Sequence, residues 1–137
     1  MPILNITQED TNRLKKVDRG WYLCEITSIT AKQSKAEHRK GGLNLTYEFK
    51  VVDENTPMFN RYGYRIIPSE YPGLHFDIIC AAMKISKDRL ESGGFDTDAL
   101  VGKRLFVKFD EEVNPTNQTV NQGVPVQYSP EDKVPFA

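Results

Sequence analysis

The chain has 137 residues, 39% apolar and 27% charged, with 9 Gly and 8 Pro. That balance excludes a collagenous, low-complexity or wholly disordered polymer and leaves room for one ordinary domain with one modest core. The formal charge is only −1, but it is unevenly spread. Eight basic residues face three acids between Arg13 and Lys40, giving +5, whereas five acids face Lys133 alone from Asp110 to the end, giving −4. Fields act locally within a Debye length of roughly 8 Å, so a neutral total does not exclude a polyanionic partner; the bland alternative is a solvated basic loop.

Residues 1–19 carry a broken apolar pattern (Ile3, Leu4, Ile6, Leu14, Val17) and read as an N-terminal extension or a short strand. Gly20 opens GWYLCEITSIT, whose alternation puts Tyr22, Cys24 and Ile26 on one face, a first strand. The polar, basic stretch AKQSKAEHRKGG follows as a long loop. LNLTYEFKVV has the cleanest period of two, with Leu43, Leu45, Tyr47, Phe49 and Val51 on the core side. After the DENTP turn, MFNRYGYRII is a third strand ended by Pro68. The period then changes: Leu74, Ile78, Ala81, Ala82 and Ile85 make a helix stripe that Pro72 and Gly73 punctuate. Ser86 and Asp96 are cap candidates for two short turns, and KRLFVKFDEEV and TVNQGVPVQY complete five strands.

All-β with one helix, placed between strands 3 and 4, matches the five-stranded OB-fold Greek-key β-barrel; an SH3-like barrel is the alternative. The expected layout is an extension over 1–19, the barrel over 20–128 and a flexible tail over 129–137. No stretch is long and apolar enough for a membrane helix and the N-terminus lacks the order of a secretory signal, so a cytoplasmic protein with reduced Cys24 and Cys80 is expected.

Catalytic chemistry finds no foothold. His38 and His75 have no acidic partner at a recognisable spacing, and they form no metal-ligand pair with Cys24 or Cys80. Phosphate-cradling and nucleophile-elbow motifs are missing from the sequence. The expectation is a non-enzymatic protein with no cofactor and no metal.

Binding chemistry is better represented. An unpaired nucleic acid strand needs cations along its phosphates and ring faces on which bases stack, at roughly 1–3 kcal/mol each. Lys32, Lys35, Arg39 and Lys40 lie on the first loop, Lys50 on the polar face of strand 2, and Arg61 and Arg65 on strand 3. Trp21, Phe59 and Tyr64 are the candidate stacking rings. Parity separates Phe59, Arg61, Gly63 and Arg65 from Tyr62, Tyr64 and Ile66, so outward arginines imply inward tyrosines unless Gly63 makes a bulge. Tyr47 and Phe49 share the apolar face and read as core.

The runs GWYLCEITSITAKQSKAEHRKGGLNLTYEFKVVDEN, MFNRYGYRIIP, IICAA and FDTDALVGKRLFVKF resemble the phage-encoded single-stranded-DNA-binding proteins over about residues 19–109. Where that family often has Gly-Arg in the third strand, this chain has Asn60-Arg61. The resemblance implies an oligonucleotide-binding barrel that coats single-stranded DNA without sequence preference during phage replication or recombination, in the host cytoplasm. The end of the chain is similar to bacterial single-strand-binding tails in Glu131, Asp132, Pro135 and Phe136, which implies recruitment of replication or recombination proteins; it departs in Lys133 and the final Ala137. A small-barrel protein-interaction module, used in virion assembly or against a host factor, is the alternative, and an oligosaccharide binder a third.

Overall fold

The computed structural model describes residues 2–33, 42–90 and 92–135; Lys35, His38, Arg39, Lys40 and Phe136 lie outside them. In chain order come helix α1 (Gln8–Leu14), strands β1 (Gly20–Gln33), β2 (Leu43–Val51) and β3 (Tyr62–Pro68), helix α2 (Gly73–Met83), and strands β4 (Arg104–Val113) and β5 (Val120–Pro130). Short 3-10 turns at Lys87–Arg89 and Thr97–Leu100 connect α2 to β4. The five strands form one antiparallel sheet in the order β3-β2-β1-β4-β5, so β1 is shared by two wings.

Period-two patterning decides which side is core. Cys24 and Ile26 of β1, Tyr47, Phe49 and Val51 of β2, and Leu105, Val107 and Phe109 of β4 are all fully buried on one face. α2 closes one end of this core with Ile78, Ile79, Ala81 and Ala82. Both cysteines are free thiols, and burial pushes the Cys24 thiol well above its ordinary range.

Two expectations of the sequence need correction. The described residues form two α-helices rather than one: α2 follows β3, and α1 lies ahead of β1, in the stretch read as an extension or a short strand. A capping box nucleates α1, with Asp10 N–H donating to Thr7 Oγ1 at 3.1 Å and Thr7 N–H to the Asp10 carboxylate at 3.0 Å. Nor is the sheet closed into a barrel. β3 and β5 are its edges, and no ladder joins them among the described residues.

The wings nevertheless meet through side chains. The Phe49 and Tyr128 rings stand 5.7 Å apart, and Arg65 of β3 pairs with Glu112 of β4 at 2.6 Å. The backbone of β3 also presses on Phe109 of β4: a Cβ at Gly63 would sit 2.2 Å from its Cε1. Glycine is therefore required there by close approach. Asn60, at the entry to β3, has φ +69°, in the left-handed region where a glycine is at ease and Asn is the commonest substitute.

Of the two cap candidates, one caps and the other does not. Asp96 caps the turn that follows it, accepting from Asp98 N–H at 2.9 Å, and Ser86 precedes the other turn without capping its backbone. Strand limits shift at the ends: β1 continues through Ala31–Gln33 into the stretch read as loop, and β5 runs to Pro130 rather than Tyr128.

Candidate nucleic-acid interface

The face of the sheet turned away from the core is set by register. In one row, Arg104, Glu25, Lys50 and Tyr62 lie side by side across β4, β1, β2 and β3. Next come Ser28, Glu48 and Tyr64, then Thr30, Thr46 and Ile66, and finally Lys32, Asn44 and Pro68. At about 3.3 Å per residue, the rows from Tyr62 to Pro68 make a track of about 20 Å. It starts at Lys50 and Tyr62, passes the exposed Tyr64 and Ile66, and ends at Lys32, beside the start of the basic connection between β1 and β2.

The expected site residues distribute unevenly over this surface. Lys32, Lys50 and Tyr64 share the track. Tyr64 is 41% exposed, so parity resolves in favour of outward tyrosines, with Gly63 and Ile67 buried between and beyond them. Phe59, 37% exposed, sits in the turn that leads to Tyr62. Trp21 shares the outer face but pairs with Lys108 on β4, four residues before Glu25, about 13 Å along β1 from the track. Arg61 and Arg65 are not brought to it: Arg61 Nη1 donates to the Lys16 carbonyl at 3.0 Å and to Met58 Sδ at 3.2 Å, and Arg65 pairs with Glu112. In the tail, Glu131 pairs with Lys84 at 3.0 Å, Asp132 is exposed and Pro135 is half-buried. Tyr47 and Phe49 are core.

Four residues outside the sequence-derived set shape the site, namely Glu9, Arg13, Glu48 and Tyr62. Tyr62 lies on the outer face yet is only 7% exposed, because α1 covers it. The Arg13 guanidinium stacks 4.3 Å over its ring, and its hydroxyl donates to Glu9 at 3.2 Å. Arg13 also donates to Glu48 at 2.7 Å, to Glu9 at 3.0 Å and to the Tyr64 hydroxyl at 3.3 Å. The hydrogen bond that Arg13 donates to Glu48 raises the Arg13 pKa further, and the one it donates to Glu9 draws the Glu9 carboxyl below its usual range. Glu48 is fixed from its other side by the Thr27 hydroxyl at 2.7 Å, at the β1 bulge. The only sequence signal for this arrangement was Thr7-x-x-Asp10; α1 buries no residue and so leaves no apolar stripe to read.

Chemically the track offers a stacking ring (Tyr64), a guanidinium-capped ring (Tyr62), and two ammonium groups with no ion pair among the described residues (Lys32 and Lys50). Lys50 Nζ lies 5.9 Å from the Tyr62 ring centroid, which keeps the cation beside the π face. Among the described residues, no group of three or more His, Cys, Asp or Glu could hold a metal, and no helix is long and apolar enough to cross a membrane. Neither a scan of protein-family models nor a search of curated proteins finds a match.

Proposed function

We propose that the protein binds single-stranded DNA without sequence preference, as a binder and not an enzyme, in phage DNA replication or recombination. The observation that carries this reading is the outer track of β1–β3, where the exposed Tyr64 ring lies between the cations Lys50 and Lys32, while Tyr62 is covered by α1 and Arg13 is paired with Glu9 and Glu48. Rings accept any base face and cations follow any phosphate, so such a surface is sequence-tolerant. Lys35, Arg39 and Lys40, on the connection that begins beyond Gln33, would extend the cationic path. The strand order, with β1 common to two wings whose edges meet through side chains, is compatible with a partly open OB-fold, whose ligand face is that of strands 2 and 3. The acidic tail, with Glu131 and Asp132 ahead of Pro135 and Phe136, would then recruit replication or recombination partners.

The test is fluorescence anisotropy with labelled oligo-dT at two salt concentrations, with duplex as competitor. Binding should weaken with salt at a slope near −0.7 per phosphate contacted. Tyr64→Ala and Lys50→Ala should each weaken oligo-dT by about three- to tenfold, Lys50→Ala alone reducing the salt slope by about one. Absent or salt-independent binding by the folded protein would overturn the reading. A protein partner retained after nuclease treatment, with no oligo-dT binding, would favour the interaction module.

A further inference from the structure

A cavity of about 750 Å³ lies on the other side of the sheet from the track, between β2, α2 and the segment after α2. Its size falls within the roughly 300–1,000 Å³ of small-molecule sites. The floor is Leu45, Ile79 and the Tyr47–His75 pair. His75 Nε2–H donates to the Pro68 carbonyl at 3.0 Å, so Nδ1 accepts the Tyr47 hydroxyl at 2.6 Å, and the floor carries no unsatisfied polar group. Two rings, Phe76 and Phe95, stand at the walls, and neither packs on another ring among the described residues. Phe95 is 44% exposed, so its ring is accessible from outside.

Charge at the rim narrows the occupant. Arg89 has no ion pair among the described residues, and Lys87 is held by Asp77 at 2.8 Å. An occupant with a flat apolar ring and an anionic group attached satisfies both parts of this cavity. The cavity also opens at the end of the sheet where the track ends. Ser69, in its wall, donates its N–H to the Leu43 carbonyl at 2.8 Å, and Lys32 lies two strands from Pro68, about 10 Å away. A polynucleotide that follows the track past Lys32 therefore rounds the end of β3 beside the mouth.

We infer that this cavity is a nucleotide subsite, taking one base between Phe76 and Phe95 with its phosphate at Arg89 and Lys87. The inference rests on the single-strand-binding reading and adds a second contact to it.

Its test uses the full chain, with oligo-dT anisotropy and an NMR titration with thymidine monophosphate. Phe95→Ala should weaken oligo-dT about tenfold, the loss of one stacked base, and Phe95→Tyr should restore it. Arg89→Ala should weaken binding several-fold and lower the salt slope by about one. Both positions lie on the exposed rim, and an unchanged melting temperature confirms that the variants fold. Thymidine monophosphate should shift the His75 and Phe95 signals. If Phe95→Ala and Arg89→Ala bind oligo-dT like the parent while Lys50→Ala is weakened, the subsite is overturned and the track stands. If the parent binds no oligo-dT, the track fails, and the mononucleotide titration decides the cavity alone: shifts at Phe95 support it and their absence overturns it. A synthetic peptide of residues 131–137 that shifts Phe95 when the mononucleotide does not would overturn the nucleotide assignment in favour of an acidic, aromatic peptide.

Discussion

Gly63 of β3 lies against Phe109 of β4, with no room for a side chain between them. A methyl group at Gly63 would meet a ring that is itself fully buried and has no open space to move into. Gly63→Ala should therefore destabilise the protein by about 1–3 kcal/mol, the usual cost of overpacking, read as a lower midpoint in chemical denaturation. The same pair explains the orientation of β3: with Gly63 against Phe109, Tyr62 and Tyr64 must point outward and Arg65 toward the opening between the wings. Alternation alone could state that Tyr62 and Tyr64 share a side, but not which side, because strand 3 has apolar residues on both.

Helix α1 is held by polar contacts and by the stacking of Arg13 on the Tyr62 ring. It buries no residue, and its attachment runs through Arg13, Glu9, Glu48 and Tyr62. The bond from Arg13 lowers the Glu9 pKa below 4.5, and the Thr7 N–H bond lowers that of Asp10 below 3.8. A carboxyl with a depressed folded pKa stabilises above its unfolded value and loses that contribution as pH falls through the folded one. Acidification below about pH 4 should therefore loosen α1 while the sheet persists. Amide exchange of residues 8–14 should quicken and the Tyr62 ring signals shift, with little change in the global melting temperature, since both carboxylates are solvent-exposed and their contributions small.

Over the whole molecule, the acidic end of the chain is paired with the basic remainder. Asp110 and Glu111 hold Arg19 at 2.7 and 3.5 Å, Glu112 holds Arg65, and Glu131 holds Lys84. These pairs remove cations from any phosphate path and leave it to groups such as Lys32 and Lys50. Glu112→Gln should release Arg65 at the opening between the wings and strengthen oligo-dT binding about two- to threefold at low salt, the gain vanishing as salt screens it. An unchanged affinity would mean that the strand does not pass Arg65.

The sequence by itself determined the five strands, the buried helix after the third, the core faces of β1, β2 and β4, and the turn at Asp96, since each is written in local periodicity or in a cap a few residues long. It also determined that eight basic residues fall between Arg13 and Lys40. Only the tertiary structure decided which cations and rings meet. Arg61 and Arg65 were spent on Lys16 and Glu112, partners 45 and 47 residues away, and Tyr62 was covered by a helix whose only written signal is a capping box. Such pairings follow from register and from the curl of the sheet. Both are fixed by packing between distant segments, as at Gly63 and Phe109, and local pattern carries no record of them.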